Sequence, residues 1–449
     1  MAGFGATNDG PLGAIALVSA QPRRDRAATI WVGYVAGLGF ITKTKHAELD
    51  GAYAWLRVAI SVLIALISTV GMWSVVVILP GVQRDFGIDR AEASMPYTAV
   101  MVGFAFGNFL LGRLVDRYSI TKVLIGAALV LGTGFALTSI AANIWQFTII
   151  QGVLIGVGTS AGFGPLIADI SHWFRRRRGI AVSMVAGGNY LAGAVWPLLL
   201  KDIIAEDGWR AAHYLIAIVI VGAVIPLSLL LRRQPPLESA PMLDSPSRRR
   251  TSGRTVDLSP RVLQGLLIIA GLSCCVAMSM PQVHLVAYCG DLGYGPAAGA
   301  EMLSLMLAGG VVSRLAWGFL SDYIGGLRAL LFGSVLQGIA LLLYIPFDGL
   351  ASLYVVSLVF GLAQGGIVPA YAMIVRENLP ASEAGQRIGV VLMSTVIGMA
   401  FGGWLSGWIF DQTGSYQAAF LNGIAWNLFN VTIMASLLWR TRLPKPANG

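Results

Sequence analysis

A single cation, Arg314, interrupts an otherwise apolar stretch of helix length from Met302 to Leu320. A guanidinium left alone in hydrocarbon costs about 2.5–3.5 kcal/mol, so a chain that keeps one there must supply a partner or a polar cavity. The chemistry open to such a group is the binding of an anion. Asn108, Gln151, Asn189 and Gln364 also lie in apolar stretches but carry no charge; each is expected to tie helices together by hydrogen bonds. No nucleophile, base and orienting group can be assembled from the sequence, and no metal-ligand spacing occurs, so neither catalysis nor a cofactor is expected.

The elements that would position Arg314 follow from composition. Of 449 residues, 56% are hydrophobic and only 12% are charged, and mean hydropathy is +0.72, which excludes an ordinary soluble domain. Apolar runs long enough to cross a hydrocarbon core of about 30 Å recur twelve times. Their approximate bounds are 56–80, 95–116, 121–141, 145–168, 179–200 and 211–231, then 263–288, 299–320, 327–346, 350–374, 386–408 and 418–438. Short connections make sequential helices antiparallel neighbours in an all-α membrane bundle. Clusters such as Gly152, Gly156 and Gly158, or Gly361, Gly365 and Gly366, lack a following Gly-Lys-Ser/Thr and are expected to serve close helix packing. Cys274, Cys275 and Cys289 are an odd number beside one span and imply no disulfide framework.

Basic residues set the orientation, because they are retained on the cytoplasmic side. With both termini inside, the outer loops hold only Arg84, Arg90, Lys201 and Arg210, while all other Lys and Arg except Arg314 lie in inner loops, tails and helix ends. The net charge of +9 then reports topology and contact with the lipid bilayer, not nucleic acid. Residues 1–49 are expected to form a cytoplasmic extension: Ala27 to Ile41 is apolar behind Arg23, Arg24 and Arg26, yet its core is short and shows no small-residue cleavage site. Residues 233–261, rich in Pro, Ser and Arg, read as a flexible cytoplasmic linker. It separates a half at 50–232 from a half at 262–441, with a short tail at 442–449.

The two halves repeat. Gly112-Arg113-Leu114-Val115-Asp116-Arg117, with Lys122 beyond, matches Gly318-Phe319-Leu320-Ser321-Asp322, with Arg328 beyond; Asp116 and Asp322 are 206 positions apart. Gly208-Trp209-Arg210-Ala211-Ala212 similarly resembles Gly414-Ser415-Tyr416-Gln417-Ala418-Ala419. The repeated block resembles the cytoplasmic signature of the major facilitator superfamily, whose six-helix halves rock about a central site. In that reading Gly112 and Gly318 let helix ends pack closely, and Asp116 and Asp322 accept hydrogen bonds from a neighbouring helix N-terminus. Arg117, Lys122 and Arg328 make and release ion pairs between the halves.

Shorter motifs narrow the resemblance to the monocarboxylate transporter family. Asp50-Gly51-Ala52-Tyr53-Ala54-Trp55 is similar to its element before span one, with Ala52 in place of the second glycine. Trp173-Phe174-Arg175-Arg176-Arg177-Arg178-Gly179 and Arg314-Leu315-Ala316-Trp317-Gly318 are further matches. The last carries the family's substrate-binding arginine onto Arg314. Two departures separate the chain from eukaryotic members: Gly71-Met72-Trp73-Ser74 lacks their span-one lysine, and the acid one turn before the arginine is Gly310. The chain looks more like the bacterial branch, whose histidine and aspartate fall on His284 and Asp291.

These two residues are seven apart, close to two helical turns, and so share a face about 10 Å apart along the axis. A carboxylate such as Asp291 near Arg314 would hold it while the site is empty, and protonation would free it for an anionic substrate. One proton is then coupled to one carboxylate. The oxalate:formate antiporters, which the chain also resembles, add a lysine in span eleven; Ile388 to Ile397 has none. One deep cation favours a small monocarboxylate, with His284, Asn189, Gln364 or Tyr371 meeting its second oxygen.

The expected function is proton-coupled symport of lactate- or pyruvate-like acids by a monomeric carrier in the inner (plasma) membrane, with small organic anions and protons as its partners. A carboxylate exchanger, a drug efflux carrier and a non-transporting metabolite receptor are the alternatives. Efflux is disfavoured by span five, Ala186 to Gly193, whose following Pro197 comes after Trp196 rather than a glycine.

Overall fold

Lipid offers no hydrogen-bond partners to a peptide backbone, so apolar runs of this length must satisfy their own N–H and C=O groups as helices. The computed structural model of the protein, which describes residues 49–234, 255–256, 258–380 and 383–442, contains twelve helices long and apolar enough to cross a membrane. They are α1 (Ala52–Phe86), α2 (Arg90–Arg117), α3 (Ile120–Ser139), α4 (Ile144–Ser171), α5 (Arg178–Glu206) and α6 (Gly208–Leu230). The second half comprises α7 (Pro260–Asp291), α8 (Pro296–Ile324), α9 (Gly326–Leu343), α10 (Leu350–Asn378), α11 (Ala384–Thr413) and α12 (Tyr416–Trp439). The expected spans are all present, most with longer ends than hydropathy marks, because helical pairing continues past the apolar run.

Three helices are irregular. In α1, the Thr69 hydroxyl donates to the Ala65 carbonyl at 2.7 Å where the helix breaks between Ser68 and Val70, the back-bonding that bends helices. A π turn, Gln151–Gly156, widens α4. In α10, Gly365 and Gly366 separate Leu350–Gln364 from Ile367–Asn378, which frees a carbonyl for a side chain.

Close packing within each half uses backbone surfaces. A Cβ on Gly103 of α2 would collide with the Gly152 carbonyl of α4, and one on Gly361 of α10 with the Met306 carbonyl of α8. A short antiparallel pair, β1 (Thr255–Val256) and β2 (Thr441–Arg442), sets Thr255 opposite Arg442 and Val256 opposite Thr441. The end of the expected linker is therefore structured, because main-chain pairing ties it to the segment after α12. The expected extension through residue 48, most of the linker (235–254) and the tail from residue 443 lie outside the described residues.

The halves meet mainly through α2 against α11 and α5 against α8. All hydrogen bonds between halves among the described residues fall between the Arg90 end of α2 and the depth of Arg314: Arg90 and Ala91 with α7, α11 and α12, the Thr98 hydroxyl to the Ala400 carbonyl at 2.8 Å, Lys201 to Glu301, and Arg314 to Ala186. Toward the Arg117 end no such bond occurs among the described residues. The close packing expected of Gly112 and Gly318 is not made there: a Cβ on either would meet nothing within 4 Å. The halves are joined at the opposite end, so no close approach between them falls on either glycine among the described residues.

Candidate functional site

Arg314 sits about 27 Å along α8 from its start, half-buried between the two halves. Its Nη1 donates to the Ala186 carbonyl of α5 at 2.9 Å, and its Nε to the Gly365 carbonyl at the break in α10 at 3.3 Å. The Tyr190 ring of α5 covers one face of the guanidinium, 4.4 Å from ring centre to Cζ. No carboxylate forms a salt bridge with Arg314 among the described residues. A guanidinium has five donor hydrogens; two are engaged, leaving three and the full positive charge for a ligand.

The local sequence explains this geometry. Gly310 lies one turn before Arg314, and a Cβ there would stand 2.5 Å from Tyr190 Cδ1. The position that holds an acid in the resembled eukaryotic proteins is thus filled by an aromatic face, which orients the cation without neutralising it. Asn189 supports the same helix from behind: its carbonyl and Oδ1 both accept from Trp73 Nε1 of α1, at 2.9 and 3.1 Å.

Gln364 is buried beside Gly365, with its Oε1 accepting from Gln282 Nε2 at 2.6 Å and its own Nε2 without a protein partner. Tyr371 is fully buried and donates to Asn430 Oδ1 at 3.0 Å, which in turn donates through Nδ2 to Ser334. Its hydroxyl proton is engaged within the second half, because α9, α10 and α12 close around it.

His284 and Asp291 make their polar contacts at the joined end rather than with Arg314. His284 Nε2 faces the Gly403 carbonyl at 2.8 Å and must donate to it; Nδ1 therefore accepts from the Tyr416 hydroxyl at 3.1 Å. Asp291 accepts from Arg90 Nη2 at 2.6 Å. The expected Asp291–Arg314 pair is absent in this conformation, since Asp291 ends α7 where Arg90 enters from the other half.

Among the expected gating residues, Arg117, Lys122 and Arg328 are exposed and form no ion pair among the described residues. The side chains of Asp116 and Asp322 lie outside what the structure describes. At the start of α9, both side-chain oxygens of Glu377 from α10 accept from the Gly326 N–H at 3.2 Å.

Sequence reasoning missed a second deep arginine. Arg57 of α1 is 0% exposed and grips Asp169 of α4 with two bonds, Nε at 2.7 Å and Nη2 at 2.8 Å, under the Trp173 ring. Asp169 falls just past the expected end of span four and Arg57 just inside the start of span one, so both read as topology charges. The pair neutralises itself, whereas Arg314 has no carboxylate partner among the described residues. The two quoted motifs also dock: Asp50 accepts from the backbone N–H groups of Arg175, Arg176 and Arg177, each at 3.1 Å, and Tyr53 packs on Trp173. Desolvation opposes ionisation of Asp50, yet the three N–H groups hold its carboxyl below the usual range.

A profile of the Major Facilitator Superfamily matches residues 61–316 and 267–449. Monocarboxylate transporter 13 of Bos taurus is 26% identical over 370 residues, covering 80% of this chain and 85% of its own. The uncharacterized MFS-type transporter YcxA of Bacillus subtilis is 27% identical over 74% of this chain and 82% of its own, and the Fujikurins efflux protein of Gibberella fujikuroi is 25% identical over 69% and 66%. Among solved structures, the bacterial homolog of the human lysosomal transporter Spinster in an inward-facing, occupied conformation superposes with TM-score 0.65 at 12% identity, covering 87% of this chain and 97% of its own. The nucleoside transporter NupG superposes with the same TM-score and identity over 86% and 99%.

Proposed function

The chain belongs to the major facilitator superfamily and is monocarboxylate transporter-like, and from that premise we propose that it carries small monocarboxylates across the membrane by alternating access, with Arg314 as the anion-binding group. One observation carries the reading: among the described residues, a half-buried guanidinium between the halves has three donors unused and no carboxylate paired to it. The free end of its fork suits a single carboxylate, whose two oxygens take parallel hydrogen bonds. Gln364, with its unpartnered Nε2 one residue from Gly365, supplies the neighbouring polar group for a 2-hydroxy or 2-oxo oxygen.

Arg314 also bridges the halves through Ala186. An anion that draws the guanidinium toward itself weakens that bridge, so occupancy of the site and separation of the halves are linked. The distribution of basic residues assigns the Arg90 end to the outside and both termini to the cytoplasm. The conformation described is then closed outside and parted inside. Asp291 is the proton-coupling carboxylate of this scheme, and its partner while the outside is closed is Arg90. The carrier acts as a monomer in the cell's inner (plasma) membrane.

Reconstitution tests the reading. Uptake of radiolabelled lactate, pyruvate, formate and oxalate is measured in liposomes with and without an inward proton gradient. Gradient-driven uptake of a monocarboxylate supports symport; movement only against a trapped counter-anion supports exchange instead. Failure to move any of the four by folded protein removes the monocarboxylate reading. Similarity to a fungal efflux protein gives a second reading, export of larger anionic metabolites, which the same assay separates by substrate size.

A further inference from the structure

The charged contacts that cross between the halves at the joined end all have one polarity. Arg90 and Lys201 come from the first half, and their acceptors Asp291, Asp411 and Glu301 from the second. Arg90 is the more enclosed cation, its side chain 11% exposed against 22% for Lys201. Its Nη2 donates to Asp291 at 2.6 Å, its Nη1 to the Tyr416 hydroxyl at 2.9 Å, and the Phe410 ring lies 4.9 Å from Cζ. Asp411 accepts from the backbone N–H groups of Arg90 and Ala91 at 3.0 and 2.8 Å. Asp89, the residue before α2, makes no capping bond, so the cap of a first-half helix is supplied from the second half. Behind this contact, Tyr416 donates to His284, which is anchored to Gly403. Glu301 similarly accepts from Lys201 and from the Tyr354 hydroxyl.

We infer that Arg90 is the main bolt of a charged gate at this end, seated in Asp291, Asp411 and Tyr416 of the opposite half, with Lys201 and Glu301 as a weaker second bolt. Parting the halves here removes a charge-assisted pair and the cap of α2 together, and the aligned helix dipole loses its facing carboxylate in the same step. The more exposed Lys201 pair is better screened and contributes less. The inference uses the carrier reading for its purpose and the observed contacts for its geometry.

Ser94 offers the reporter. It is fully buried beside Gly407, one turn into α2 from Arg90, and native Cys274, Cys275 and Cys289 are buried. In proteoliposomes of the full chain carrying Ser94→Cys, the rate of modification by a membrane-impermeant maleimide is read, with the chain lacking that substitution as blank. Arg90→Gln or Asp291→Asn is expected to speed labelling at least ~10-fold, a shift of about 1.4 kcal/mol in the opening equilibrium, and Lys201→Met to speed it less. The double variant Arg90→Gln, Asp291→Asn is expected to be no faster than the faster single one, since both singles already remove the same ion pair. Unchanged labelling in both singles, with monodisperse and thermally stable protein, overturns the inference, as does full additivity. Should Arg90→Gln not fold, Asp291→Asn, which keeps its shape, decides alone. No substrate is needed, so failure to transport a monocarboxylate and failure of the gate are separate results.

Discussion

Gly310→Asp is the most informative single change near the site. Residues 310 and 314 are neighbours on one helix face, about 5–6 Å apart at Cβ, and an acid N-terminal to a base is the favourable order. The new side chain enters the space of the Tyr190 ring, which a Cβ at this position already approaches to 2.5 Å, and replaces its face with a carboxylate. In a half-buried cavity such a charge-assisted contact is worth about 1.5–3 kcal/mol, all of which an incoming anion must overcome. Apparent affinity for lactate should fall roughly 10- to 150-fold. Gly310→Ala displaces the ring without adding charge and loses only the cation–π contribution, about 0.5–1 kcal/mol or roughly 2- to 5-fold. The assay is concentration-dependent uptake into liposomes at pH 7 with both variants matched for folded protein. Equal KM values for Gly310→Asp and Gly310→Ala would refute the claim that Arg314 binds the anion through unspent charge.

Changes at three other places test the surrounding framework. Asp169→Asn leaves Arg57 buried without its anion and should cost about 3–5 kcal/mol, seen as a lowered melting temperature in detergent; Arg57→Met with Asp169→Leu should be milder. Because the Asp50 carboxyl is held below its unfolded value of 3.8, its contribution is present above that pH and lost as pH falls through the folded value. The melting temperature of the wild type should therefore drop below pH 4 more steeply than that of Asp50→Asn. Glu377→Gln weakens the cap on α9 and should cost about 0.5–2 kcal/mol, read by thermal unfolding with transport little changed.

The membrane architecture was legible because lipid constrains it locally: each apolar run must be a helix, and a basic run such as Arg175 to Arg178 must be a loop. Arg314 was legible for the same reason, as a charge where charge is expensive. Partners were not. Arg90 and Asp291 are far apart in the chain and meet only once the halves are assembled, so the spacing of His284 and Asp291 showed a shared face but not whose cation faced it. Tyr371 looked like a free hydroxyl because Asn430, which accepts its proton, is on another helix. Arg57 was hidden by position, since a base near a helix start has an ordinary role in topology. Gly310 registered as a lost acid, while the ring that fills its place comes from α5.

Direct binding tests with the fewest assumptions whether an anion rests on Arg314 between the halves. Equilibrium binding of radiolabelled lactate to purified protein would be compared for wild type, Arg314→Ala and Arg314→Lys. Saturable binding to wild type is expected, with loss of at least ~100-fold in Arg314→Ala, about 2.7 kcal/mol, and partial retention in Arg314→Lys, which keeps the charge but not the fork. Undiminished binding to folded Arg314→Ala would contradict that expectation.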